Sequence, residues 1–257
     1  MKNVKIYAFA DEASPNIDEQ IIAMKKNGLD GLEIRNVDGE NVSSISLEKA
    51  EEVKAKMDAA GLKIWSIGSP IGKIMIDTGN WEEEKERFKH TLKIAEILGA
   101  QNIRMFSFYG ADEKPEECRD EVINRLKWYV DTAKGTGIDL CHENEKGIYG
   151  DIAVRCLDIL KTVPELKCVF DPANFIQCGQ DTLEAWEMLK PYVKYLHIKD
   201  ALADGNVVPA GKGIGNVGKI LADLEQEGDK SVVGQVYTFA TNEEAFDAAC
   251  NALKELI

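Results

Sequence analysis

Apolar runs of strand length alternate with amphipathic helical segments eight times along the chain, and this alternation limits the fold more than any other feature. The strand-like runs are KIYAFA, LDGLEIR, LKIWSIG, AQNIRMFSFY, IDLCHEN, LKCVF, VKYLHI and SVVGQVYTF. In the segment after the first run, Ile17, Ile21 and Met24 recur at helical spacing and Gly28 stops the helix; Ser46 and Gly61 bracket the second helix in the same way. Eight strand–helix units in 257 residues predict an α/β fold, a single-domain (β/α)8 TIM barrel over residues 1–257. An open doubly wound sheet would need a Gly-rich phosphate turn after the first strand, and YAFADEA has none.

The bulk properties narrow the partners. A net charge of −14 with no basic stripe repels nucleic acid and other polyanions. No segment approaches the roughly 18 apolar residues of a membrane span, and MKNVKIYAFADEA reaches Asp11 and Glu12 too soon for a signal peptide, so a cytoplasmic location is expected. The six cysteines form no CxxC pair, and Cys141 and Cys168 lie inside strand runs, where a thiol acts as a small hydrophobe. A homo-oligomer is neither required nor excluded.

Closing the units into a barrel delivers the C-terminal end of every strand to one face, where barrel enzymes keep their sites. Glu143, Asp171 and His197 stand at the ends of the fifth, sixth and seventh runs, about 25 to 30 residues apart. Carboxylates with an imidazole suit a divalent cation. Period-two geometry sends Cys141 with Glu143, and His197 with Lys199, to the same side of their strands. Taken singly, a carboxylate that closes a strand more often caps the next helix; three ligand types on three successive strands favour a metal site.

The chain resembles the xylose isomerase-like TIM barrels, a superfamily of sugar isomerases and epimerases, inosose dehydratases and apurinic-site endonucleases. AFADEA with GLDGLEIR, SIGSPIGK, HENEKGIYGD, FDPANF, LHIKD and VVPAGKGIG carry the resemblance, and together they span nearly the whole chain. It implies Glu143, Asp171 and His197 as ligands of manganese, magnesium or zinc. Where the epimerase branch has a fourth, glutamate ligand, SVVGQVYTF offers only Gln235 or Thr238. Where relatives have a substrate-touching histidine, Asp171-Pro-Ala-Asn174 has Asn174. Gln235 coordinates through an amide oxygen but is no base. The resemblance therefore implies a metal-dependent isomerase or epimerase of a small sugar or sugar phosphate, with Glu143 as the proton-transfer base; a dehydratase and a barrel that binds a metabolite without turning it over stay open.

Further candidates surround this core. Lys73, Lys199, Lys212 and Arg35 lie at strand ends or in loops, and Gly-flanked Lys212 suits an anion approached by backbone amides and ammonium together. Phe9 and Trp65 are candidate platforms for a sugar ring, whereas Phe106, Phe108 and Tyr237 read as packing. Lys146 and Tyr149 form a candidate lid, and His90 reads as a surface residue.

Overall fold

The structure, a computed structural model, describes residues 4–226, 231–234 and 242–257. Eight parallel strands close into the expected barrel: β1 (Ile6–Ala8), β2 (Gly31–Ile34), β3 (Lys63–Gly68), β4 (Asn102–Met105), β5 (Asp139–Glu143), β6 (Lys167–Phe170), β7 (Val193–His197) and β8 (Ser231–Gly234). Each strand pairs with its neighbours in sequence, and β8 closes on β1 with Ile6 opposite Val232. Two bulges interrupt the register, at Leu32/Glu33 between β2 and β3 and at Cys168/Val169 between β6 and β7. Helices α1 (Ile17–Lys26), α2 (Leu47–Ala60), α3 (Trp81–Leu98), α4 (Pro115–Ala133), α5 (Ala153–Thr162), α6 (Pro172–Gln177), α7 (Thr182–Leu189), α8 (Val217–Gln226) and α9 (Glu243–Lys254) accompany the strands.

Local chemistry sets these boundaries. Ser46 accepts the Lys49 amide at 3.1 Å to start α2, a cap worth about 1 kcal/mol. Gly61, at φ 71°, stops the same helix in the left-handed region. In α3, Phe88, Leu92, Ala95 and Leu98 recur on one face and are buried. Each large apolar side chain buried in this way contributes about 1.5–3 kcal/mol.

Inside the barrel the lower level is apolar. Tyr7, Trp65, Cys141 and Tyr195, from β1, β3, β5 and β7, form one buried cluster with Val169. Tyr7 stacks on Trp65 at 4.8 Å, and Trp65 meets Tyr195 edge-on at 4.9 Å. Contributions from alternate strands are the usual way such barrels fill their interior. Among the described residues, none of the six cysteines forms a disulfide. Among the described residues, no helix is long and apolar enough to cross a membrane.

Candidate metal centre and substrate cavity

Two residues up from this apolar level, the strands change character. On β7, Tyr195 belongs to the apolar cluster, and His197 is the next inward position. Its ring lies between two carboxylates: Nε2 is 2.9 Å from Glu33 Oε2, and Nδ1 is 2.8 Å from Glu143 Oε1. Burial opposes a charged imidazole, but the Glu143 and Glu33 carboxylates outweigh it and raise His197 to about 9. Glu33 reaches this point from β2 across the barrel and also accepts the Tyr195 hydroxyl at 3.0 Å. Phe9 closes against the imidazole edge with ring centroids 5.3 Å apart.

Glu143, at the end of β5, is buried and receives Arg104 at 3.1 Å on its other oxygen. Burial pushes its carboxyl up, and the charges of His197 and Arg104 more than reverse this, holding it well below the usual carboxylate range. The Asn144 side chain accepts the Asp171 amide at 2.9 Å and donates to the Asp171 carbonyl at 3.0 Å, tying the end of β5 to the residue after β6. Asn174 donates to the Asn144 carbonyl at 2.8 Å and, at 3.4 Å, to Glu143.

Asp171 does two things at once. Its Oδ1 caps α6 by accepting the Asn174 amide at 3.0 Å. Its Oδ2 is buried, lies 3.0 Å from Lys199 Nζ, and has no aligned hydrogen bond. Burial lifts Asp171 to about 6 against the pull of Lys199. Burial lowers Lys199 in turn, but Asp171 and Glu143 leave it raised overall.

These residues fit a divalent cation. One ligand atom from each of Glu143, Asp171 and His197 falls within 4.8 Å of the others. Asp171 Oδ2 is a buried acceptor without an aligned donor. Glu33, on the far nitrogen of His197, stands where an outer carboxylate would fix the ring of a metal-ligating histidine. Two carboxylate oxygens and an imidazole nitrogen suit zinc, manganese or magnesium. Gln235 and Thr238 lie outside the described residues, as does Tyr237.

A cavity of 190 Å³ opens beside Glu143, the one triad residue in its lining, and Asn174 and Lys199 line it too. Arg35 and Lys73 line it as well, together with Arg104 and Lys146. Arg35 is held by Asp11 at 2.8 Å and Glu12 at 3.3 Å, and Lys73 by Glu145 at 2.9 Å. Larger hollows of 310, 390 and 590 Å³ lie elsewhere, and none contains a triad residue.

Several candidates stand apart from this cavity. Trp65 borders the 390 Å³ hollow with Tyr7, Leu62 and Lys63, and its ring fills the barrel interior below the site. Phe9 is fully buried, with the Arg35 and Arg104 guanidinium groups over its ring. Lys212 is exposed, and the amides of Gly211, Gly213 and Gly215 are already donated to the Asp200 carboxylate at 2.7–3.1 Å. An internal carboxylate thus occupies the cradle that Gly-flanked Lys212 suggested. Tyr149 is buried and donates to Asp158 at 2.8 Å, so of the two lid candidates Lys146 alone lines the cavity. His90 is half-buried, with Nε2 2.8 Å from the Ile45 carbonyl.

Glu33, Arg104, Asn144, Glu12 and Glu145 were not singled out from sequence. Glu33 and Arg104 each place a charge inside a short apolar strand, where burial is expensive without a partner, and that was a readable signal. Asn144 carried none beyond its place next to Glu143.

The comparisons with known proteins agree with this fold. The family profile described as xylose isomerase-like TIM barrel matches residues 21–256. The chain is similar to a 3-dehydroshikimate dehydratase of Bacillus anthracis, 20% identical over 178 residues, which are 68% of this chain and 63% of that protein. Its fold is similar to a D-tagatose 3-epimerase-like protein, with TM-score 0.79, 17% identity and coverage of 98% of this chain and 96% of the other. It is also similar to the IOLI protein with a bound zinc atom, with TM-score 0.78, 19% identity and coverage of 98% and 97%. With the profile matched over nearly its whole length, the chain belongs to the xylose isomerase-like TIM barrel family.

Proposed function

We propose that the protein is a divalent-metal-dependent isomerase or epimerase of a small sugar or sugar derivative that moves a proton on the carbon next to a carbonyl. The convergence of Glu143, Asp171 and His197 within 4.8 Å at the mouth of the barrel carries this reading. When bound, the ion supplies Lewis-acid polarisation of the substrate carbonyl. Glu143, buried and held as a carboxylate, accepts the proton from the neighbouring carbon and returns it. Asn174 and Arg104 hold Glu143 in place, and Glu33 holds His197. Lys199 sets a positive charge beside the developing oxyanion. The zinc atom of the IOLI protein, whose fold this chain shares, supports a metal role for the three residues.

A second reading, dehydration, has an observation in its favour: the similarity to a 3-dehydroshikimate dehydratase. Elimination needs one base on one face, and Glu143 fits that role. Loss of the neighbouring hydroxyl, rather than return of the proton, would then complete the turnover.

Metal analysis of protein purified without chelator should give about one ion per chain, lost in Glu143→Gln. Incubation of candidate ketoses in heavy water should place deuterium next to the carbonyl for an isomerase, and unsaturated product should form for a dehydratase. Stoichiometric metal with neither outcome across a ketose and keto-acid panel would leave a binding protein and overturn the proposal.

A further inference from the structure

The cavity beside Glu143 is lined mainly by cations, although the chain as a whole is strongly acidic. Five cationic side chains line it, Arg35, Lys73, Arg104, Lys146 and Lys199, with two carboxylates, Glu143 and Glu145, while Asp11, Glu12 and Asp171 pair with Arg35 and Lys199 from outside the lining. The whole chain carries a net charge of −14, so this clustering opposes the overall composition.

Two aromatic rings organise three of these cations. Arg35 and Arg104 both sit over Phe9, at 4.7 and 5.2 Å from its centroid. Arg104 and Lys73 both sit over Phe106, at 4.8 and 4.2 Å. Stacking of this kind adds to the carboxylate contacts that hold the same side chains, Asp11 and Glu12 on Arg35, Glu145 on Lys73 and Glu143 on Arg104. Arg104 is 6% exposed, and its Nε is buried with no hydrogen-bond partner among the described residues. Lys146 stands at the exposed edge of the cavity and forms no ion pair among the described residues. Gly68 is part of the same construction, since a Cβ there would fall 2.5 Å from Phe9 Cε1 and 3.3 Å from Arg35 Cβ. Only glycine lets Phe9 and Arg35 close up.

We infer that the substrate carries an oxyanion group, a carboxylate or a phosphate, bound by Arg35, Lys73, Arg104 and Lys146 beside the metal triad. This rests on reading the cavity as the substrate site of the proposed enzyme. A planar guanidinium pairs with two oxygens of a carboxylate or phosphate at once, and ammonium groups add undirected charge. A neutral sugar would bring this cluster no negative charge. The anion also sets the register of the bound molecule, because it fixes one end while Glu143 and the metal face the carbonyl.

The test uses three ketone-bearing probes of similar size: D-fructose (neutral), D-fructose 6-phosphate and 2-keto-D-gluconate (a carboxylate). Binding is measured by calorimetry at one ionic strength, on manganese-loaded and on chelator-treated protein. At least one anion should bind more than about tenfold tighter than fructose, and the preference should shrink by about tenfold in Lys73→Met and in Arg35→Met. Both variants are checked for native melting behaviour. Whichever anion binds more tightly identifies the group as phosphate or carboxylate. Fructose binding as tightly as both anions, no measurable binding of either anion, or an unchanged preference in both folded variants would overturn the inference. An anion preference without stoichiometric metal would instead overturn the metal-dependent reading and leave the anion site standing.

Discussion

The lower and upper halves of the barrel interior are built from the same strands and differ almost completely in chemistry. Below, Tyr7, Cys141 and Tyr195 pack with Trp65 and Val169 as an apolar plug. Two residues further along the same strands stand Phe9, Glu143 and His197; Glu33 and Arg104 join Glu143 and His197 in an ionic network, and the Phe9 ring closes against the imidazole. The side-chain period of a strand keeps both levels facing inward. A single step along that period therefore separates the apolar plug from the candidate site. Tyr195 links the levels: its ring packs in the plug and its hydroxyl holds Glu33.

This division can be tested by substitutions that should affect one half and spare the other. The largest effect belongs to the plug. Trp65→Ala should cost about 3–5 kcal/mol of stability by urea titration while metal stoichiometry of the folded fraction stays the same. Metal loss in proportion to destabilisation would show that the levels are not separable.

Next is the pH response of Glu12, at the mouth in the single turn Ala10–Glu12. Burial lifts its carboxyl from the ordinary 4.5 to about 7 despite Arg35, and Oε2 has no hydrogen-bond partner among the described residues. The folded state thus holds a proton that the unfolded chain gives up earlier. The stabilisation is fully present below pH 4.5 and is lost as pH rises through 7. The shift corresponds to at most about 3 kcal/mol. Glu12→Gln should remove this dependence, so its stability advantage over the parent chain should be larger at about pH 8 than at about pH 5. Equal pH profiles for the two proteins would refute the assignment.

A smaller effect is expected at Glu33, which touches the triad only through His197. Glu33→Gln should weaken metal binding by about 10- to 100-fold without abolishing it. No change would mean that the far side of the His197 ring does not matter. The smallest effect is at Gly68→Ala, where the added methyl must displace the Phe9 ring. A loss of about 1–3 kcal/mol is expected, with weaker anion binding and unchanged metal stoichiometry.

The barrel was legible because the strand–helix alternation is local, and closure follows from repeating one unit. Glu143, Asp171 and His197 were legible because strand C-termini share one face whatever the side-chain details. Glu33 and Arg104 are legible only as charges inside apolar strands and not as neighbours of the triad, since the strand period alone does not say which alternate set points inward, and the bulge at Leu32/Glu33 shifts the register beside one of them. Trp65 was misplaced as a platform for a related reason: it lies too early on β3 to reach the mouth. Lys212 suggested an anion loop, but Asp200, eleven residues before Gly211, takes the loop amides. Such a partner becomes visible only when the chain folds back.

X-ray absorption spectroscopy of the zinc-loaded protein tests the central claim most directly. Coordination by Glu143, Asp171 and His197 should give light-atom scattering only, at about 2.0–2.2 Å, with an imidazole signature that disappears in His197→Gln. A sulfur shell near about 2.3 Å would point to thiolate ligands instead. That result, or an imidazole signature that survives His197→Gln, would contradict a metal centre at the mouth of the barrel.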